Sequence, residues 1–392
     1  MRSLRNFMFM GTLVCLSLFT LAQGNEYDHW AFGTGVHMDF SGGGAPVVSC
    51  TLSINSFEAS AVWSNPANGD FIAYTDGATV YNGQNNNTLS NGTGLTANSS
   101  SIESALILPK PGATLDEFYI FHNNITNAYW SEADMSIGAN GTVTSKNNFL
   151  QATGTERCGT APHGTFCPAY WMMITSGNDS VTAYLIDTNG VSSTPVTTAT
   201  GISGGSARGN IVFSEDFTKM AMSVENSGMY VCDFDNNTGQ TSNWTSIGTV
   251  TNGFGSAWSP DGTKLYYTSG YGQYLFQYNF TNSTQTQLGG PGLSYLALAP
   301  DGKIYISKYG QTSLGVINLP NAAGTGCNFQ ISGFSSGVHD GEFTAAVGGD
   351  PPTGASASAS NMRSVSAAMA LAASVPSCSA AGLPTSPASR MA

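Results

Sequence analysis

Between residues 55 and 347, the chain repeats one pattern of hydrophobic and polar positions. A short apolar segment runs into a polar turn rich in Pro, Asp and Gly, and an aromatic segment follows. The clearest copies are residues 255–267 (GSAWSPDGTKLYY) and 296–306 (LALAPDGKIYI). Proline presets φ and glycine accepts a positive φ, so this turn is typical of a tight connection between two antiparallel strands.

Six copies of the pattern follow one another at a regular spacing. Successive turns are 43, 52, 52, 45 and 40 residues apart, counted at Gly69, Gly112, Gly164, Asp216, Asp261 and Asp301. A period of about 40–50 residues that carries four short strands is typical of the blades of a β-propeller. Residues 30–48 and 336–347 remain. We expect them to complete a seventh blade with strands from both ends, because a closed ring leaves no exposed sheet edge.

The repeat therefore predicts an all-β fold, a seven-bladed β-propeller over residues 23–347. Residues 1–22 read as a secretory signal peptide: Arg2 and Arg5 are basic, a mostly apolar run follows, and small residues lead up to Ala22. That run is short of the ~20 apolar residues that a membrane span needs. We expect a secreted, extracellular protein without a transmembrane span.

Behind the propeller, residues 348–392 form a Ser/Ala-rich tail without aromatic residues. Such a composition cannot bury enough apolar surface to fold, so we expect a disordered tail. Small residues at 354–360, ahead of a weakly apolar stretch at 365–375, resemble a lipid-anchor signal that would attach the protein to the cell surface. Polar residues continue to Ala392, whereas that signal ends in an apolar tail, so a linker is favoured.

The charge of the chain excludes some partners. Only 9% of residues are charged, and 12 basic residues stand against 24 acidic ones. Without Arg2 and Arg5, 10 basic residues remain against 24, a net charge near −14. So acidic a secreted protein is poorly suited to nucleic acid or anionic lipid. We expect a monomer whose partner is a glycan or protein of a cell surface or matrix.

Cysteines and glycosylation sequons fit an oxidising compartment. Once Cys15 leaves with the signal, six cysteines remain, at 50, 158, 167, 232, 327 and 378. An even count favours disulfides. We predict a Cys158–Cys167 bridge, because the glycines and proline between them allow a turn, and leave the other pairings open. The candidate glycosylation sites are Asn86, Asn91, Asn98, Asn124, Asn140, Asn178, Asn236, Asn243, Asn279 and Asn282.

At several of these segments the chain resembles the YVTN/lactonase-like seven-bladed propellers. It is similar to the N-terminal propellers of Bacteroidota surface proteins associated with gliding motility and type IX secretion. The matching pieces are residues 71–77, 104–112, 183–191, 233–235 and 314–321. The resemblance spans residues 28–347 and implies a surface binding or adhesion role.

Charged residues share one register in the repeat. Six residues before the Ser or Pro that opens the turn stand Glu58, Glu103 and Arg208. Arg157 takes this place if His163 opens its turn, and Glu156 precedes it. Residues at the start of inner strands surround the mouth of a propeller channel, so these five predict either a ligand or metal site or a salt-bridged ring.

No complete catalytic motif occurs in the chain, so whether it is an enzyme stays open. The leading hypothesis is a non-catalytic binding or adhesion module without a cofactor. One alternative is a lactonase-like hydrolase, in which a divalent cation such as calcium on Glu58, Glu103 and Glu156 polarises a carbonyl or activates water. Another is a structural matrix glycoprotein.

Overall fold

A computed structural model describes residues 25–335, except 57, 99, 100, 102, 104, 167, 251, 270, 271, 309 and 310. The predicted signal peptide, the tail at 348–392 and the second piece of the closing blade at 336–347 lie outside these residues. The described chain consists of β-strands and two 3₁₀ turns, Asn25–Tyr27 and Gly324–Cys327. None of its helices is long and apolar enough to cross a membrane.

The strands group into consecutive antiparallel units. The first three units contain β1 (His29–Phe32), β2 (Thr34–Asp39) and β3 (Val47–Asn55); β4 (Ala61–Ser64), β5 (Phe71–Thr75), β6 (Thr79–Asn82) and β7 (Thr88–Thr93); and β8 (Ala105–Pro109), β9 (Glu117–Asn123), β10 (Asn127–Asp134) and β11 (Thr142–Ala152). The fourth and fifth contain β12 (Cys158–Pro162), β13 (Tyr170–Ser176), β14 (Ser180–Asp187), β15 (Gly190–Val191) and β16 (Val196–Ala199); and β17 (Ile211–Phe213), β18 (Lys219–Val224), β19 (Gly228–Asp235) and β20 (Gln240–Ile247). The sixth and seventh contain β21 (Gly253–Trp258), β22 (Lys264–Ser269), β23 (Tyr274–Asn279) and β24 (Thr284–Gly289); and β25 (Leu293–Leu298), β26 (Ile304–Lys308), β27 (Ser313–Ile317) and β28 (Phe329–Ser335).

Each unit pairs its strands mostly in chain order, as hairpins predict. In the fourth unit β14 pairs with both β15 and β16. The second and third units join into one eight-stranded sheet through a single parallel pair, Thr142 with Ser90. The sequence period arises because each copy of the turn motif connects the first and second strands of a unit.

The core lies between the units. Seven buried hydrophobic clusters each combine side chains from two neighbouring units. One of them joins the first unit to the seventh, with Trp30 and Phe40 packed near Tyr305. Contacts between the ends of the chain therefore close the array of sheets, and the predicted propeller-like all-β fold is confirmed.

The inner strands are buried on both faces because they lie between neighbouring units. All residues of β4, β12 and β21 are buried, whereas the outermost strand β20 alternates with exposed residues. All six inner strands from β4 onward begin at one side, here called the loop face, which bears the loops that precede them. They end at the turn face, which bears the turns that carry the repeat motif.

Candidate functional site

The loop face brings the predicted channel residues to the start of the inner strands. Glu58, Glu103, Glu156 and Arg157 immediately precede β4, β8 and β12, and all four are at most 1% exposed. Their positions in the repeat predicted that they lie at the start of inner strands, but not their burial or their partners.

Glu103 connects four units across the channel. Its Oε2 accepts backbone N–H hydrogen bonds from Cys158 at 2.9 Å and Ile211 at 3.4 Å. Its Oε1 accepts the hydroxyl of Tyr295 at 2.9 Å. Burial raises the pKa of Glu103 well above its ordinary value, and the charge of Glu156 raises it further against these hydrogen bonds. Such a carboxyl group stabilises the channel rather than facing solvent.

The hydrogen bonds continue from Glu103 through the channel. The Tyr295 hydroxyl accepts from Asn210 Nδ2 at 3.1 Å. Asn210 Oδ1 in turn accepts the hydroxyls of Ser223 at 2.8 Å and Ser256 at 2.9 Å. All five side chains are at most 3% exposed, so this channel network forms a buried polar core inside the ring.

Arg157 fastens the loop before the fifth unit. Its guanidinium donates to the backbone carbonyls of Ser206 and Arg208 at 3.2 and 2.8 Å, and to Gly177 O and Asn178 Oδ1. Burial lowers the pKa of Arg157 to about 10, partly offset by the charges of Glu156 and Glu103. These contacts pair both terminal nitrogens of the buried guanidinium with three backbone oxygens and one side-chain oxygen, which is a structural role.

Arg208 forms an ion pair, but with Glu225, a partner that the sequence did not indicate. Its Nη1 lies 3.3 Å from Oε1 of Glu225, whose side chain is 2% exposed. Glu156 Oε1 accepts the backbone N–H of Gly209 at 3.3 Å. Within the described residues, no three His, Cys, Asp or Glu side chains are arranged to hold a metal ion.

The predicted bridge between Cys158 and Cys167 is not formed: Cys158 is a free, buried thiol. Its Sγ donates to the backbone carbonyl of Glu103 at 3.0 Å. Cys158 begins β12, and the turn toward β13 starts after Pro162, at the opposite end of that strand. The prediction failed because it expected the chain to turn back directly after Cys158, whereas residues 158–162 form a strand; Cys167 itself lies outside the described residues.

At the turn face, the N-terminal 3₁₀ turn lies between two cavities. Asn25 and Asp28 line a cavity of about 630 Å³ that the fifth, sixth and seventh units also border. Glu26 lines a smaller one, and Tyr27 is buried in the core of the third and fourth units. Gly69, at φ +76°, permits this approach, because a Cβ there would lie 2.9 Å from Asp28 Oδ2.

We call the smaller cavity, of about 230 Å³, the proline-rich pocket. It opens among the turns of the second, third and fourth units, and its wall includes Pro66, Pro109, Pro111 and Pro168 with Trp63 and Tyr170. Trp63 Nε1 donates to Leu115 O at 3.1 Å, which fixes the ring against the turn. The sequence reasoning missed this pocket; its only signal was the accumulation of prolines in three consecutive turns.

Comparisons with known proteins give a similar fold at low identity. No protein-family model and no curated protein sequence matches the chain. A putative 6-phosphogluconolactonase from Bacteroides uniformis is 15% identical with a TM-score of 0.46, and the match covers 74% of this chain and 92% of that one. Hydrazine synthase from Kuenenia stuttgartiensis is 14% identical with a TM-score of 0.49, covering 79% and 99%. A luciferin-regenerating enzyme is 12% identical with a TM-score of 0.40, covering 74% and 84%. Similarities this low carry no argument about activity.

Proposed function

We propose that the protein is an extracellular, non-catalytic binding module that attaches to a cell-surface or matrix partner through its turn face. The signal-like residues 1–22 and the many sequons support secretion and glycosylation. A surface role is also what the resemblance to Bacteroidota surface propellers implies.

The observation that carries this proposal is the contrast between the two faces. At the loop face, Glu103 is fully buried, and donors from three other units occupy its oxygens. A hydrolase that used this carboxylate would need it to meet water or substrate. At the turn face, a pocket with apolar walls and a few polar groups stays open, which is the usual composition of a ligand site.

Two exposed apolar side chains belong to turns that border that pocket, Leu115 in its wall and Phe166 two residues before Pro168. Leu115 is 38% exposed and Phe166 is 63% exposed, on the turns of the third and fourth units. Large apolar side chains that face solvent beside a pocket mark interaction surfaces. The partner therefore covers the turns of these two units.

We also propose how the ring of sheets is closed. Within the described residues β1 pairs with β2 alone, so its other edge is open to a further strand. We infer that residues 336–347 add to this edge, as the repeat predicts, and that the propeller has seven blades. Seven units with a hydrophobic cluster at each interface support this count.

A binding screen with variants of each face tests the proposed function. The secreted protein is applied to arrays of glycans and matrix proteins, and Phe166→Ser is compared with Tyr274→Ser. Tyr274 is 45% exposed at the start of β23, on the loop face, and serves as the matched control. We expect Phe166→Ser to weaken binding at least tenfold and Tyr274→Ser to leave it unchanged.

Two further measurements separate the alternatives. A lactone and ester screen is run with calcium and with a chelator. Turnover in this screen would contradict the binding module and support a hydrolase. Concentration-dependent self-association in sedimentation, without binding to any partner on the arrays, would support a structural matrix protein instead.

A further inference from the structure

The proline-rich pocket contains a buried carboxylate oxygen that no described residue satisfies. Glu26 Oε2 is buried and forms no hydrogen bond within the described part of the chain. Tyr170 lines the same cavity, and the charge of Glu26 adds to burial in raising the pKa of its hydroxyl, so the two groups act on each other. Buried polar groups are almost always paired, so an unpaired carboxylate oxygen in a pocket points to a ligand that pairs with it.

The charge of the pocket is uncompensated. Burial raises the pKa of Glu26, and the nearby charge of Asp28 raises it further. Lys110 belongs to the pocket wall, but its ammonium lies 3.3 Å from Glu132 and 3.6 Å from Glu117. A cationic group from outside would therefore supply the missing counter-charge of Glu26.

The number of free acceptors favours an ammonium over a guanidinium. One hydrogen bond to the Glu26 carboxylate comes from its own backbone N–H, which leaves Oε2 as the oxygen without a partner. A guanidinium binds carboxylates best through two parallel hydrogen bonds, whereas an ammonium is a compact point charge with three donors. Oε2 and the Tyr170 hydroxyl offer such a group two separate acceptors.

The walls of the proline-rich pocket fit an aliphatic chain that carries the ammonium. Trp63, Leu115 and the prolines enclose the cavity, and aliphatic chains bury their methylenes along such surfaces while the charged end finds a partner. Leu115 in the wall and Phe166, in the same turn as Pro168, remain exposed. A free amine would leave them in water, whereas a protein that carries the amine would cover them.

We propose that the proline-rich pocket binds a lysine side chain of a protein partner, with its ammonium on Glu26 and Tyr170 and its stem along Trp63 and the prolines. This rests on the proposed function, since it names the partner of the same face.

The test uses the full secreted protein and two small probes. Nα-acetyl-lysine methylamide carries the ammonium, and Nα-acetyl-norleucine methylamide lacks it. In calorimetric or NMR titrations, we expect the lysine probe to bind at least tenfold more tightly than the norleucine probe. Glu26→Gln should remove this difference, and Tyr170→Phe should reduce it several-fold. Asp116→Asn, which changes an exposed carboxylate that follows Leu115 but does not line the pocket, should not alter it.

Each result decides a part of the proposal. Equal affinity of the two probes, or an unchanged preference in Glu26→Gln, would overturn the ammonium site; thermal unfolding of each variant establishes that it is folded. A lysine flanked by apolar residues in a peptide should bind more tightly than the lysine probe, and equal affinities would overturn the protein source. If the protein binds a partner on the arrays but does not bind the lysine probe, the lysine pocket is refuted and the binding-module function is not. If the protein turns over a lactone and still binds the lysine probe, the binding-module function is refuted and the lysine pocket is not.

Discussion

The hydroxyl of Tyr295 donates a hydrogen bond of 2.9 Å to Oε1 of Glu103, although the two residues are 192 positions apart. This contact links the seventh unit to the third across the channel. The two inner strands are not neighbours in the ring. The contact therefore depends on the closed arrangement of all units and not on the fold of any one unit.

Replacing Tyr295 by phenylalanine should destabilise the protein. The change leaves Glu103 Oε1 and Asn210 Nδ2 each without one buried partner, at a cost of about 1–3 kcal/mol in the free energy of unfolding. Urea denaturation measures this loss. Tyr274→Phe removes a hydroxyl from an exposed tyrosine and should cost nothing. Equal stability of the two variants would contradict the structural role of the channel network.

Glu103 should make stability fall as the pH rises. Its pKa is raised in the folded state from an ordinary value of 4.5, so the folded protein holds this proton more tightly than the unfolded chain. The stabilisation is complete below pH 4.5 and is lost above it, by up to about 1.4 kcal/mol per pH unit until the folded pKa is reached. Glu103→Gln lacks this proton. The difference in unfolding free energy between wild type and variant should therefore fall from acidic to neutral pH, and a constant difference would refute the assignment.

The sequons should divide according to the role of their asparagine. Asn279 is 7% exposed, and the amide of Asn178 accepts from Arg157 and donates to Gly204 O, so both should stay unmodified. Asn282 lies in an exposed turn and should carry a glycan when the protein is secreted from a glycosylating host. Peptide mapping with and without glycosidase shows which asparagines are modified. A glycan on Asn279 would require local unfolding during modification.

Deletions should separate a structural C-terminal segment from the tail. Residues 336–347 are the predicted second piece of the closing blade, and residues 348–392 are the predicted tail. Removing 351–392 should leave the melting temperature unchanged. A chain that ends at 335 should melt lower, because the open edge of β1 then has no strand to pair with. If both truncations melt like the full chain, residues 336–350 contribute nothing to closure.

The sequence predicted the features that recur in the repeat, but it did not predict contacts that occur only once in the fold. The turn motif recurs in six of the seven units, so its period indicated the arrangement of sheets and placed Glu103 and Arg157 at the start of inner strands. Tyr295 has no marked position in the repeat, and its distance along the chain from Glu103 hid their contact.

The remaining errors have local causes. The predicted disulfide failed because Cys158 lies at the end of β12 that is opposite to the turn. Glu26 was missed because it precedes the repeat, so no alignment of the copies includes it.

The packing of the first unit against the seventh has a consequence for synthesis. Trp30, Met38 and Phe40 are made first, but their buried neighbours at residues 297–316 are made last. A ribosome that adds about 5–20 residues per second delays this contact by tens of seconds, during which the apolar side chains have no native cover. The apolar face of the first unit therefore stays without its native partner until translation has passed the seventh unit.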